Sequence, residues 1–160
     1  LSDTLAFRSP TTTPRDQELA ENLARSLGVD IETYAAEMFE AKSDTSGFSD
    51  TELLRMDSKI FSVGDKQLRV SVLETTNPDS ILGRKEALVS AMGAIATEDG
   101  VDAVLLFIVD ILKEQSTLLV PDDFTRMVAE KSFGVEVAHD TVVLPGVVSR
   151  KKQIVPALTV

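Results

Sequence analysis

The chain contains no cysteine, no tryptophan and a single histidine, His139, among 160 residues. Without cysteine no disulfide framework can form, which agrees with a cytoplasmic setting. His139 stands beside Asp140 in a predicted turn and reads as an exposed loop residue. Cations are scarce too: 16 Lys and Arg against 26 Asp and Glu give a formal net charge of −10. That balance argues against nucleic acid as a partner, because binding it needs a basic footprint that neutralises several phosphates. Long apolar runs are also missing. The strongest, Val101 to Leu112, is interrupted by Asp102 and Asp110 and falls short of the ~18 residues a membrane helix needs. Leu1-Ser2-Asp3-Thr4 has neither the basic nor the apolar region of a signal peptide. A soluble protein with no membrane partner is expected.

What is present suffices for a core. Hydrophobic residues make up 43% of the chain, enough for one domain, or one domain and a fragment of another. Thr13-Pro14-Arg15-Asp16 starts a helix, with Thr as cap, Pro at the first helical position and an acid in the first turn. Leu19, Leu23, Ala24 and Leu27 mark one face of it up to Gly28, and a second helix begins at Asp30 with Ile31, Tyr34, Ala35, Met38 and Phe39 at helical spacing. Lys42 to Gly47 has no apolar period, so residues 43–47 read as a linker or hinge or, equally on composition, as an ordinary interhelical loop. Beyond it, Leu68–Leu73 alternates like a half-buried strand, a long helix is expected from Asp79 to about Glu98 with Gly100 as its stop, and Ala103–Val109 reads as a central strand. Thr117–Val120 is a further strand, Asp122 caps a helix to Lys131, and Val135–Ala138 with Thr141–Leu144 reads as a hairpin around His139-Asp140. The expected fold class is α/β: a mixed sheet of about five strands with helices on its faces, preceded by two helices.

In so acidic a chain, three consecutive cations are informative. Ser149-Arg150-Lys151-Lys152-Gln153 follows the apolar Val147-Val148 and precedes Ile154-Val155-Pro156. Clustered cations at a strand end can hold a phosphate-like polyanion by charge-assisted hydrogen bonds. Taken alone, the run is more often a solvated basic turn. Asp3 alone would be a cap or turn residue, Lys59 alone a surface lysine, and Asp110 a cap on the turn after its strand.

Four segments in order carry a resemblance that spans the chain: Leu1-Ser2-Asp3-Thr4-Leu5-Ala6-Phe7-Arg8-Ser9-Pro10-Thr11, Asp57-Ser58-Lys59-Ile60-Phe61, Asp110-Ile111-Leu112, and Gly146 through Pro156. They resemble the C-terminal part of the family-II, manganese-dependent inorganic pyrophosphatases of the DHH phosphoesterase superfamily. Val109 and Pro121-Asp122 depart from that pattern, where Thr and Gly are commoner, but carry no assigned chemistry. The resemblance implies that residues 1–42 are the tail of an upstream DHH catalytic domain, 43–47 the hinge, and 48–160 a DHH-associated C-terminal substrate-binding domain. It further implies that Asp3 is a metal ligand, that Lys59, Arg150 and Lys151 bind substrate, and that Ser149, Lys152 and Gln153 support them.

The implied reaction is hydrolysis of pyrophosphate to two phosphates by an enzyme using manganese, with cobalt or magnesium as alternatives. A metal-bridging hydroxide in the upstream domain would attack while the three cations neutralise the phosphates. The ligands beyond Asp3 belong to earlier motifs, Asp-His-His among them, so this chain alone should be inactive and hold no tight metal site. The apolar faces of the first two helices then need cover, from the upstream domain in the parent or from a homodimer. An exopolyphosphatase or another DHH phosphoesterase is the rival within this chemistry. A non-catalytic anion-binding or regulatory module is the rival outside it.

Overall fold

A computed structural model describes all residues, 1–160. Its first two helices, α1 (Pro14–Leu27) and α2 (Ile31–Ser43), begin and end on local chemistry. Thr13 and Asp16 form a reciprocal capping box, Gly28 closes α1 in the left-handed region, and the Asp30 side chain caps α2. Next come α3 (Asp50–Met56), β1 (Ser58–Val63), β2 (Lys66–Thr75), α4 (Pro78–Leu82), α5 (Lys85–Asp99), β3 (Ala103–Asp110), β4 (Gln115–Leu119), α6 (Asp123–Phe133) and β5 (Thr141–Pro145). A π-helical turn (Arg150–Ile154) and the short α7 (Val155–Ala157) end the chain.

The five strands lie in sequence order, β1-β2-β3-β4-β5. Every pair is antiparallel except β2 with β3, which run parallel because α4 and α5 carry the chain back across the sheet. This is the mixed α/β sheet expected from the sequence. β3 is buried at every position, so its alternation serves two cores. Leu105, Phe107 and Val109 join one cluster with Leu68, Val70, Val128, Ala129 and Ile154. Val104, Leu106 and Ile108 join the other, with Leu53, Leu54, Leu88, Met92 and Ile95 from α3 and α5. At the start of β3 the Asp102 carboxylate accepts from Gln67 N–H at 2.8 Å and from Lys66 Nζ at 3.2 Å, fixing the β2–β3 register.

Three local expectations are corrected. The long helix from Asp79 is two helices, broken at Gly83-Arg84. The Arg84 guanidinium leaves the helix line to bind the Asp50 carboxylate and the carbonyls of Thr45 and Phe48. Val135–Ala138 is no strand and forms no hairpin: Arg126 Nη1 and Glu130 Oε1 of α6 hold the two peptide groups of Val137, and β5 pairs with β4 instead. The fifth strand is β1, hairpinned to β2 across Gly64.

The first two helices part company in how they are covered. Ala35 and Phe39 of α2 are buried in the first core cluster, and Lys42 Nζ pairs with Glu74 at the end of β2. By contrast Leu19, Leu23 and Leu27 of α1 remain 56%, 61% and 66% exposed. At the end of α2, Ser43 Oγ accepts from the backbone N–H of Thr76, while Arg84 donates to the carbonyls of Thr45 and Phe48 in the connection to α3.

Candidate functional site

The C-terminal basic segment is built as a wide turn. Gly146, at φ 74°, allows the chain to leave β5 in a left-handed conformation, and its N–H donates to Glu114 O. The N–H groups of Gln153 and Ile154 both donate to Ser149 O at 3.0 Å, and Val155 N–H donates to Arg150 O. The ladder stops there because Pro156 has no N–H to continue it. Single π turns of this kind occur often at functional sites.

Side chains from within the segment hold its shape. Gln153 Oε1 accepts from the N–H groups of Val148 and Ser149, each at 2.9 Å, and its Nε2 donates to Gly146 O at 2.7 Å. Ser149 is buried and its Oγ accepts from Lys152 N–H. Ile154 plugs the first core cluster beneath the cations. Ser149 and Gln153 therefore act on the loop backbone.

Each cation meets a different neighbourhood. Arg150 Nη2 pairs with Asp57 Oδ1 at 2.7 Å and its Nη1 donates to Asp57 O at 2.9 Å. Lys152 Nζ donates to Pro10 O at 2.6 Å, which ties the loop to the segment that carries Asp3. Lys151 is exposed and no hydrogen bond or ion pair engages its ammonium.

Lys59 comes to this region through strand alternation. It lies opposite Val70 in the β1–β2 pair, and Phe61 and Val63, two and four residues on, pack against the first core cluster. That cluster also contains Val148, Ile154 and Leu5. Lys59, the basic turn and the Asp3 segment thus share one face of the sheet. The ammonium of Lys59, like that of Lys151, is exposed and unpaired.

Asp3 is exposed in the turns that open the chain, while Leu5 two residues on is buried. Leu5, Ala6 and Phe7 have φ of 50°, 49° and 72°, a left-handed run that costs L-residues about 1–2 kcal/mol each. Insertion of Leu5 into the core offsets part of that cost. Nowhere in the chain do three or more His, Asp or Glu side chains converge as a metal site. Asp110 is buried, and its Oδ1 accepts from the N–H groups of Leu112 and Lys113 at 3.0 Å, the turn cap expected of it. His139 is exposed in its loop.

A cleft of about 960 Å³ lies elsewhere, between α2, the opening turns and the 44–46 connection. Glu21, Glu32, Glu40 and Asp44 line it against the single cation Arg8. That charge balance disfavours a polyanion in this cleft, whereas the face carrying Lys59, Arg150 and Lys151 is open and cationic. Sequence reasoning missed Asp57 as the partner of Arg150. Its available signals were its place two residues before Lys59 and within the segment Asp57–Phe61 that carries the resemblance.

Comparison with known proteins gives the family. The family model described as the DHHA2 domain matches residues 36–160. The chain belongs to the DHHA2 domain family. Its DHHA2 match begins inside α2 and takes in β1, the whole sheet and the basic turn. A Deinococcus radiodurans protein named as a probable manganese-dependent inorganic pyrophosphatase is 44% identical over 163 aligned residues, covering 99% of this chain and 52% of the relative. A Clostridium acetobutylicum protein of the same name is 40% identical, covering 99% and 51%. Among solved structures, a Methanococcus jannaschii protein assigned to the family II inorganic pyrophosphatases superposes with a TM-score of 0.85 at 36% identity, over 98% of this chain and 50% of that one. The chain spans about half the length of the curated relatives it matches.

Proposed function

We propose that this chain is the C-terminal, substrate-binding part of a longer inorganic pyrophosphatase. The observation that carries the reading is that Lys59, Arg150 and Lys151, drawn from two distant segments of an acidic chain, fall on one sheet face beside the turns that contain Asp3. Pyrophosphate is small and highly charged, so its recognition needs clustered cations more than an enclosed apolar pocket. Arg150 supplies a planar fork for two oxygens, and Lys59 and Lys151 supply movable point charges that follow the charge growing on the leaving phosphate.

The residues present do not by themselves fit the manganese that the relatives' names mention. Asp3 is one exposed carboxylate, and no three candidate ligands converge; hard divalent cations need several oxygen ligands to displace water. On this reading the other ligands and the attacking nucleophile come from an upstream DHH domain. Residues 1–42 belong with that domain, 43–47 form the hinge and 48–160 the substrate domain, in a cytoplasmic protein. Opening the hinge would release Ser43 from Thr76 or Arg84 from the carbonyls of Thr45 and Phe48. The exposed leucines of α1 are left to the upstream domain or to a second copy in a homodimer.

The test is phosphate release by the full-length protein with Mn²⁺, comparing pyrophosphate with tripolyphosphate and longer chains. Preferential hydrolysis of pyrophosphate is expected. Preference for the longer polymers would identify an exopolyphosphatase, and no hydrolysis of any of them would point to a non-catalytic anion-binding module.

A further inference from the structure

We propose that Asp57 is a positioning residue that fixes the Arg150 guanidinium for the anion, and so sets the spacing between the cations of the site. The inference rests on the reading of Arg150 as a substrate-binding group. Two acceptors of one residue hold the guanidinium: the carboxylate Oδ1 at 2.7 Å from Nη2 and the backbone carbonyl at 2.9 Å from Nη1. That carbonyl is not free to drift, because it also accepts Val72 N–H at 2.9 Å and is thereby stitched to β2. Arg150 thus hangs from the sheet edge although it sits in a turn 93 residues further along the chain.

The pairing leaves chemistry to spare. Asp57 engages one N–H of each terminal nitrogen, so Nε–H and the remaining terminal hydrogens of Arg150 stay available as an edge for phosphate oxygens. The Arg150 side chain is only 17% exposed, whereas Asp57 is 55% exposed. A carboxylate so open to water is strongly screened, and it opposes an incoming anion far less than its bond orders the guanidinium. Two residues beyond Asp57, which ends α3, Lys59 stands near the start of β1. Asp57 therefore couples the strand-borne cation to the turn-borne one, and a guanidinium pre-ordered in this way loses less entropy when substrate arrives.

The experiment is a double-mutant cycle in the full-length protein, reading KM and kcat for pyrophosphate in the parent, Asp57→Ala, Asp57→Asn, Arg150→Ala and Asp57→Ala with Arg150→Ala. Asp57→Ala should raise KM about tenfold with a smaller change in kcat, and Asp57→Asn, which keeps the shape and an acceptor, should fall between it and the parent. In the Arg150→Ala background the same Asp57→Ala change should alter kcat/KM by less than about twofold, because Asp57 acts through the group already removed. An equal effect in both backgrounds would reduce Asp57 to a general structural role and overturn the proposal. An unaltered or lowered KM in Asp57→Ala would overturn it as well. If Arg150→Ala alone left the kinetics intact, the functional reading of the cation itself would fall, a result distinguishable from the other two.

Discussion

Replacing Arg150 and Lys151 by alanine, one at a time, separates what these cations do for substrate from what they do for the fold. Arg150 is 17% exposed and bonded to a half-open Asp57, whereas Lys151 is exposed and unpaired. Partly exposed ion pairs contribute about 0–1 kcal/mol, so Arg150→Ala should lower unfolding free energy by about 1 kcal/mol, lost stem packing included. Lys151→Ala should change it by less than about 0.5 kcal/mol. Neither change approaches the stability of an ordinary domain, about 5–15 kcal/mol, and the fold should survive both. Loss of a charge-assisted contact to the reacting phosphates should cost about 2–4 kcal/mol of transition-state binding. In kcat/KM that is a loss of roughly 30- to 1,000-fold. The assay is phosphate release from pyrophosphate by the full-length protein, with urea midpoints measured on the same preparations. The two variants should thus differ in stability while sharing a large kinetic defect. Unchanged pyrophosphate kinetics in both, with circular dichroism intact, would remove the basis for the substrate assignment.

Other outcomes follow from single features. Calorimetric titration of residues 1–160 with Mn²⁺ should give no stoichiometric micromolar binding, since Asp3 stands alone as a ligand; such binding would mean that the chain completes a centre by itself. Bonds from Gln67 N–H and then from Lys66 hold Asp102 below the usual carboxylate range, and bonds from Thr13 do the same for Asp16. These lowered values contribute stability that is fully present above the ordinary carboxylate range and lost as pH falls through the folded values. Urea midpoints should therefore hold from pH 7 to about 5 and drop below about 4, with a shallower drop in Asp102→Asn; an acid profile identical to the parent's would refute the Asp102 contribution. Sedimentation equilibrium of residues 1–160 should show self-association that Leu23→Glu abolishes, because Leu19, Leu23 and Leu27 present an uncovered face; a strictly monomeric parent chain would rule out the homodimer.

The parts of the fold that could be read from the sequence are those whose causes are local. Thr13, Pro14 and Asp16 start α1 and Gly28 stops it within one turn of chain, and Asp122 and Gly134 bracket α6 in the same way. β3 was legible because seven apolar residues in a row, Ala103–Val109, admit little besides a central strand. The break at Gly83-Arg84 was not, because Ile81, Leu82, Leu88 and Val89 keep a helical period through it while its cause lies 34 to 39 residues away, at Asp50 and Thr45. Val135 and Val137 carry a strand-like alternation that α6 captures before any ladder forms. β1 escaped notice for the opposite reason: as an edge strand it leaves Ile60 44% exposed, so its pattern is blurred.

The candidate site divides along the same line. Arg150, Lys151 and Lys152 stand out in an acidic chain by charge contrast alone. Which of them faces an anion is a tertiary matter. Lys152 is drawn to Pro10 O, Arg150 to Asp57, and only Lys151 is left unengaged. The three adjacent cations are therefore not interchangeable: one joins the turn to the Asp3 segment, one is oriented from the sheet edge, and one is left without a partner. A charge run supplies affinity for any polyanion, whereas on the proposed reading this division of attachment fixes where a short one can sit; the attachments themselves come from contacts 93 and 142 residues apart that no local pattern encodes.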